Sequence, residues 1–512
     1  MNQAIRRLIF VSCILLINLS ASPALRAAPR PANIIFILAD DIGYGDLGCY
    51  GATLVKTPNL DRLAREGCRF TDAHSPASTC TPTRRAFLTG RYSWRQQAGS
   101  SIAPGDAPLS ITPGTPTAAS LLKSAGYTTG VVGKWHLGLG AEAGPDWNAE
   151  IKPGPLEIGF DYAFLMPATG DRVPTVYVEN HRIVSLDSKD PIKVNYREKV
   201  GNDPTGRENP ELLKLKHTHG HDFTIVNGIG RIGWMSGGNS ARWVDEDMAD
   251  TFTRKAVNFI ERSAGKPFFL YFATHDIHVP RVPHARFKGS SECGTRGDVI
   301  QEFDWSVGEV LATIERLKLA DNTLVIVTSD NGGVWDDGYE DMGTKDHKMN
   351  GSLRGTKGTL FEGGNRVPFI ARWPGKIKPG STSAAMIAHL DMPATFAAIA
   401  GVKIPAGGCA DSVNVLPALL GQSRTGRSNF VAHNGGVRGP FAIRDGTWKL
   451  IEPAGAAGKG KAGKENRNPA TVQLFNLADD LAETKNLAGQ MPDKVAAMQS
   501  LLAKLRAESA TP

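Results

Sequence analysis

The sequence has no internal repeat, no apolar run long enough to span a bilayer and, outside two short stretches, almost no excess of either charge. Composition excludes a fibre or a disordered chain, because 41% of the 512 residues are apolar and 21% charged, enough to bury a large core. The one candidate span, residues 8–19 (LIFVSCILLINL), falls short of the roughly 20 residues that a membrane-crossing helix requires. Arg6 and Arg7 precede it and Ala21, Ala24, Ala27 and Ala28 follow, so residues 1–28 read as a cleavable export signal. That predicts an exported protein, periplasmic or extracellular, without stable membrane insertion. The formal charge of +7 falls to +4 once Arg6, Arg7 and Arg26 leave with the signal. Lys459, Lys461, Lys464 and Arg467 against Glu465, within the Gly/Ala/Lys stretch 454–468, account for a further +3. The rest is nearly neutral, which excludes a general nucleic-acid-binding surface. Cysteine is also scarce: of six, Cys13 lies in the signal, leaving the odd set Cys49, Cys68, Cys80, Cys293 and Cys409 and the question of which thiol is special.

What is present is an alternation of helix-like and strand-like segments. NIIFILADD (33–41), YTTGVVGKWH (127–136), PFFLYFATH (267–275) and TLVIVTSDNGG (323–333) are nearly continuous apolar runs, as expected for strands covered on both faces. Amphipathic stretches at 57–67, 115–126, 247–263 and 298–318 lie between them. The pattern predicts an α/β fold, a large, mostly parallel sheet flanked by helices. After about residue 425 it changes to short antiparallel strands, 430–434, 440–451 and 472–477, with Asp445-Gly446 in a hairpin turn and a helix over 493–508. The expected organisation is a signal (1–28), a catalytic domain (31–424) and a small C-terminal α+β subdomain (425–512).

Ligands of open α/β sheets collect beyond the carboxyl ends of the strands. Asp40 and Asp41 end the first strand, Lys134 and His136 the second, His275 the third, and Asp330 with Asn331 the fourth. Three carboxylates and a carboxamide gathered there call for a hard divalent cation, Ca²⁺ or Mg²⁺. Lys134 and His136, two apart on an extended segment, would point to one side and could hold an anion and move a proton. His275 and His278 form an HxxH pattern, but Pro280 argues against a zinc-binding helix and for one histidine facing the site.

The strongest motif is Cys80-Thr81-Pro82-Thr83-Arg84 followed by Leu88-Thr89-Gly90-Arg91. It resembles the sulfatase signature, and the resemblance extends in family order through Asp40-Asp41, Lys134, His136, His275, Asp330-Asn331 and Lys357 to the closing segment 474–488. It implies an alkaline-phosphatase-like fold and an arylsulfatase-like enzyme whose Cys80 is oxidised to Cα-formylglycine by a maturation enzyme. Asp40, Asp41, Asp330, Asn331 and modified Cys80 would bind Ca²⁺ (or Mg²⁺). Arg84 would orient the nucleophile, Lys134 and Lys357 hold sulfate oxygens, His136 assist turnover and His275 protonate the leaving oxygen. An aldehyde hydrate has two hydroxyls on one carbon, one to attack sulfur and one whose deprotonation ejects sulfate. Serine lacks the second, so Cys80→Ser should trap a covalent sulfate.

Substrate recognition is less legible. Thr169, Asp171 and Arg172 in PATGDRVP (167–174) are candidates for contacts with the substrate, the last two with a sugar hydroxyl or carboxylate. HTHGHD (217–222) offers His217, His219 and His221 as a pocket rim, a solvated loop or a second metal site, and Trp234, Trp243 and Trp335 are sugar platforms or core. The expected substrate is a sulfate ester on a polysaccharide or glycosaminoglycan. The competing functions are a phosphomonoester or phosphodiester hydrolase on the same sheet, and a non-catalytic binder of sulfated glycans.

Overall fold

Seven consecutive buried residues, Asn33–Ala39 (NIIFILA), form strand β1 at the centre of a ten-stranded sheet. Alternate side chains point to opposite faces. Ile34, Phe36 and Leu38 enter one apolar cluster and Ile35, Ile37 and Ala39 another, which is why the run is continuously apolar. The other strands of this sheet are β2 (Cys68–Phe70), β3 (Thr128–Lys134), β4 (Tyr162–Met166), β5 (Val178–Glu179), β6 (Arg182–Ile183), β7 (Phe268–Ala273), β8 (Thr323–Ser329), β9 (Phe369–Arg372) and β10 (Ser381–Ser383). Their order is β10-β2-β9-β8-β1-β7-β3-β4-β5-β6. Strands β8, β1, β7, β3 and β4 are mutually parallel, so their carboxyl ends lie along one edge.

This computed structural model describes residues 31–340, 343, 346–434, 436–454 and 468–508. The signal (1–28) and most of the basic stretch 454–468 lie outside the described residues. Helices α1 (Pro58–Glu66), α4 (Met248–Ser263) and α5 (Gly294–Arg316) supply Leu60, Leu63, Phe252, Phe259, Val299 and Phe303 to the cluster on one face. On the other face, α2 (Cys80–Thr89), α3 (Ala118–Ser124) and α6 (Met392–Ala400) bring Phe87, Leu88, Leu122 and Phe396 against β1. Truncating one such side chain, Ile35→Ala for example, would cost about 2–5 kcal/mol.

A second sheet of four antiparallel strands, β11 (Asn429–His433), β12 (Phe441–Asp445), β13 (Trp448–Ile451) and β14 (Gln473–Asn476), follows in sequence order. Asp445 pairs with Trp448 across the two-residue turn Gly446-Thr447, where Gly446 takes a φ of 55°. Helix α7 (Pro492–Ala507) adds Met498 and Leu502 to the core of this unit, which also takes in Tyr92 and Trp94 from the larger body. Among the described residues no helix is long and apolar enough to cross a membrane, and none of Cys49, Cys68, Cys80, Cys293 and Cys409 is in a disulfide.

Candidate active site

The parallel strand ends bring the charged residues together. Asp40 and Asp41 follow β1 and Asp330 and Asn331 follow β8, all four fully buried. Backbone bonds from Asp40 N to Asp276 O (2.7 Å) and Asp330 N to Ala39 O (3.1 Å) stitch the three strand ends together. Asp41 has a φ of 63°, a left-handed turn that aspartate tolerates better than most residues. Cys80 is the first residue of α2, whose ten residues are all buried, and Arg84 lies one turn later on the same face. Gly90 ends that helix with a φ of 61°, and a Cβ there would sit 2.7 Å from Cys409 Cβ, so the glycine of the LTGR segment is a steric necessity.

Ligand-type atoms of Asp40, Asp41, Cys80 and Asp330 lie within 4.8 Å of one another. Arg84 donates to Asp330 Oδ2 through Nε (3.0 Å) and Nη2 (2.8 Å), and to the Lys134 carbonyl through Nη1 (3.2 Å). Lys134, the last residue of β3, pairs with Asp40 Oδ2, and Lys357 donates to Asp41 Oδ2 (2.8 Å) and Asp337 Oδ2 (2.6 Å). Asn331 Nδ2 donates to Asp41 Oδ1 (2.7 Å), and among the described residues neither its carbonyl oxygen nor Asp40 Oδ1 has a hydrogen-bond partner. Two buried oxygens left open among carboxylates are what a hard divalent cation would satisfy, and the oxygen-rich donor set fits Ca²⁺ or Mg²⁺.

Burial, followed by the charge of Asp330, pushes the Asp40 carboxyl well above the usual range. Burial acts upward on Asp41 and Asp330 too, but Lys357 and Lys134 on the first, and Arg84 and Lys134 on the second, outweigh it and hold both below the usual value. Burial raises the Cys80 thiol to about 12, so as an unmodified thiol it is protonated at neutral pH and a weak nucleophile.

Two expectations are corrected. His278, not His275, faces the cluster: a His278 ring nitrogen lies within 4.8 Å of Asp40 and Cys80 ligand atoms, and Nε2 is 3.9 Å from Asp41 Oδ2 and 3.6 Å from Asp337 Oδ2. His275 Nε2 lies 3.4 Å from Asp276 Oδ1, and its ring packs on Phe252 at 5.8 Å. The segment after β7 is a turn, so its side chains no longer alternate. His136 is not on an extended segment either. Its φ of 56° turns the chain, and Nε2 lies 2.9 Å from the Ala103 carbonyl while Nδ1 has no hydrogen-bond partner among the described residues. Burial and then Lys134 hold its pKa well below the usual histidine value, so it is neutral and available as a proton acceptor.

Thr169, Asp171 and Arg172 contact one another: Thr169 Oγ1 bonds Asp171, and Arg172 Nη1 donates to Thr169 Oγ1 (2.8 Å) and Asp171 Oδ1 (3.0 Å). His221 completes the group, with Nε2 2.9 Å from Asp171 Oδ2 and its ring 4.5 Å from that of Tyr339. His219 is exposed, and among the described residues His217, His219 and His221 form no metal cluster. Trp243 is buried core and Trp234 packs on Phe223 at 4.5 Å. Asp337 has no periodic or motif signal in the sequence; its pairing with Lys357 and its approach to His278 Nε2 (3.6 Å) reveal it.

The sulfatase family model matches residues 32–402, about three-quarters of the chain. The chain belongs to the sulfatase family. A second model, the C-terminal region of N-sulphoglucosamine sulphohydrolase, matches residues 356–509 of this sulfatase. It is 50% identical over 478 residues to an N-acetylgalactosamine-6-O-sulfatase of Bacteroides thetaiotaomicron, covering 93% of each chain. It is 34% identical to human arylsulfatase A, over 93% of this chain and 88% of that one. Its fold superposes with a TM-score of 0.90, at 49% identity and over 93% and 99% of the two chains, on a solved structure from work on glycosaminoglycan metabolism by Bacteroides thetaiotaomicron.

Proposed function

We propose that this sulfatase is exported and hydrolyses the 6-O-sulfate ester of N-acetylgalactosamine in a glycosaminoglycan or similar glycan, using Cys80 as Cα-formylglycine and a calcium ion. The carrying observation is the approach of Asp40, Asp41, Cys80 and Asp330 to within 4.8 Å, beside Arg84, Lys134 and Lys357. The substrate assignment is supported by the 50% identity to the Bacteroides enzyme over nearly its whole length. Asp40, Asp41, Asp330 and Asn331 would hold the cation, which supplies Lewis-acid polarisation of the sulfate. Formylglycine, formed with the maturation enzyme, supplies a hydrated aldehyde as nucleophile.

The chain's own residues do the remaining work. Lys134 and Lys357 place ammonium groups where a sulfate monoester needs neutralisation, and the buried setting strengthens that attraction. Arg84 keeps Asp330 ionised and fixes the first turn of α2. His136, neutral with a free Nδ1, accepts a proton from the nucleophile's second hydroxyl. His278, rather than the His275 that the sequence suggested, would serve the leaving oxygen: its Nδ1 is held 2.8 Å from the Val279 carbonyl, burial and then Lys357 and Lys134 lower its pKa in the free site, and the negative charge of a bound sulfate would raise it toward the donor form. Asp171, Arg172 and His221 present a charged edge for a sugar hydroxyl.

Peptide mass spectrometry of the matured protein should find Cys80 converted from thiol to aldehyde, and desulfation of defined sulfated monosaccharides should be fastest on N-acetylgalactosamine 6-sulfate. An unmodified thiol in active protein would overturn the formylglycine assignment, and exclusive turnover of aryl sulfates would overturn the carbohydrate one.

A further inference from the structure

Lys357 lies in a turn that the larger body holds from one side only. Its own N–H donates to the Gly333 carbonyl (3.1 Å), and the next peptide N–H, of Gly358, donates to the Ser78 carbonyl (2.8 Å). The Gly358 carbonyl faces away, toward the C-terminal subdomain, where it accepts from Asn434 Nδ2 and Asn468 Nδ2. Asn468 also accepts, through Oδ1, from Leu360 N (2.7 Å). Two asparagines from chain segments beyond residue 430 therefore close the turn around the lysine.

The same strand end reaches the nucleophile's loop. The His433 carbonyl accepts from Ser78 N (3.2 Å), two residues before Cys80, and its ring nitrogens lie 3.2 Å from the Pro76 and Ser100 carbonyls. One continuous series of hydrogen bonds thus runs from β11 through Ser78 to Gly358 and back to Asn434. We infer that Asn434 and Asn468 are positioning residues for Lys357, setting its ammonium group against the sulfate through the Gly358 carbonyl. The inference rests on the proposed role of Lys357 as a sulfate ligand. Misplacement of a binding group by about 1 Å can cost on the order of 10²-fold in rate, so Asn434 and Asn468 would govern turnover through the turn that carries Lys357.

The test is a double-mutant cycle in the full-length matured enzyme, with kcat and KM on N-acetylgalactosamine 6-sulfate, thermal unfolding and Cys80 conversion measured for each variant. Asn434→Ala with Asn468→Ala is expected to lower kcat/KM on the order of 10²-fold with Cys80 fully converted. On a Lys357→Ala background the same pair should cost less than about threefold further, because the group they position is gone. Asn468→Asp, which keeps the acceptor for Leu360 N–H and removes the donor to Gly358, provides the same comparison if the alanine variants do not fold. Equal proportional losses on both backgrounds, or wild-type kinetics in the asparagine variants, would overturn the inference. Wild-type kinetics in Lys357→Ala would instead overturn the role given to Lys357 itself.

Discussion

Two buried clusters in this sulfatase contain the same inventory, three carboxylates facing three permanent cations, and they are built to opposite ends. At the junction of the two sheets, Glu362 Oε1 pairs with Lys449 (2.8 Å) and Oε2 with Arg366 (2.6 Å). Glu483 pairs with Lys449 (2.9 Å) and accepts from Glu362 N (2.6 Å), while Asp72 meets Arg366 (2.9 Å), Arg444 (3.3 Å) and His74 (2.7 Å). Asp72, His74 and Glu362 are close enough to resemble a metal triad, yet every carboxylate oxygen there lies against a cation or an N–H of the protein, Glu483 Oε1 through its ion pair with Lys449 alone. Burial would raise Glu362, but Lys449, Arg366 and Arg444 outweigh it and keep it well below the usual range. Burial raises one carboxyl in each cluster, Glu483 to about 7 at the junction and Asp40 at the strand ends, but only at the strand ends do oxygens, Asp40 Oδ1 and Asn331 Oδ1, lie against neither a cation nor a donor among the described residues. A donor inventory therefore does not make a ligand site; unfilled coordination does.

The sharpest way to break this contrast is Asp40→Asn. Desulfation should fall by on the order of 10²–10³-fold, the scale for losing one preorganised electrostatic group. Thermal unfolding in chelator should be no lower than in the parent, because Asn mimics the neutral form that the crowded site prefers. The rise in midpoint on adding calcium, which follows from binding to the folded state alone, should shrink. If the variant unfolds markedly earlier in chelator, the two clusters are alike and the contrast fails.

Lys449→Met should do the reverse. It leaves Glu362 and Glu483 buried together without their shared cation, and urea unfolding should register a loss of about 3–5 kcal/mol. A smaller effect is expected at His433, whose ring burial holds at about 4. A depressed folded-state pKa contributes stability that is full above the unfolded value near 6.5 and is lost as pH falls through about 4, amounting to about 3 kcal/mol. Unfolding free energies of His433→Gln should lack that part of the acid slope, and an unchanged slope would remove His433 from the account. The smallest effect belongs to an exposed pair, Lys199 with Glu208 at 2.6 Å, where Lys199→Ala should leave the thermal midpoint unchanged.

Legibility in the sequence followed the range of the forces involved. The strands carrying Asp40-Asp41, Lys134 and Asp330-Asn331 were readable because burial on both faces leaves a continuous apolar run that stops where the charges begin. Cys80 and Arg84 were readable as a pair because four residues is one helical turn. The choice between His275 and His278 was not, since both sit in a turn where no period assigns a side. The parity argument for Lys134 and His136 failed for the same reason, at a φ of 56°.

By itself the sequence determined the α/β class, the segment ends where charge gathers, and the family through motifs of local spacing. Only the tertiary structure decided which histidine faces Cys80, that Asp337 shares Lys357, that His221 supports Asp171, and that two asparagines beyond residue 430 close the turn beside Lys357. Backbone periodicity is written residue by residue along the chain. Contacts between residues a hundred or more positions apart are set by how the sheets and helices pack, which no local pattern encodes.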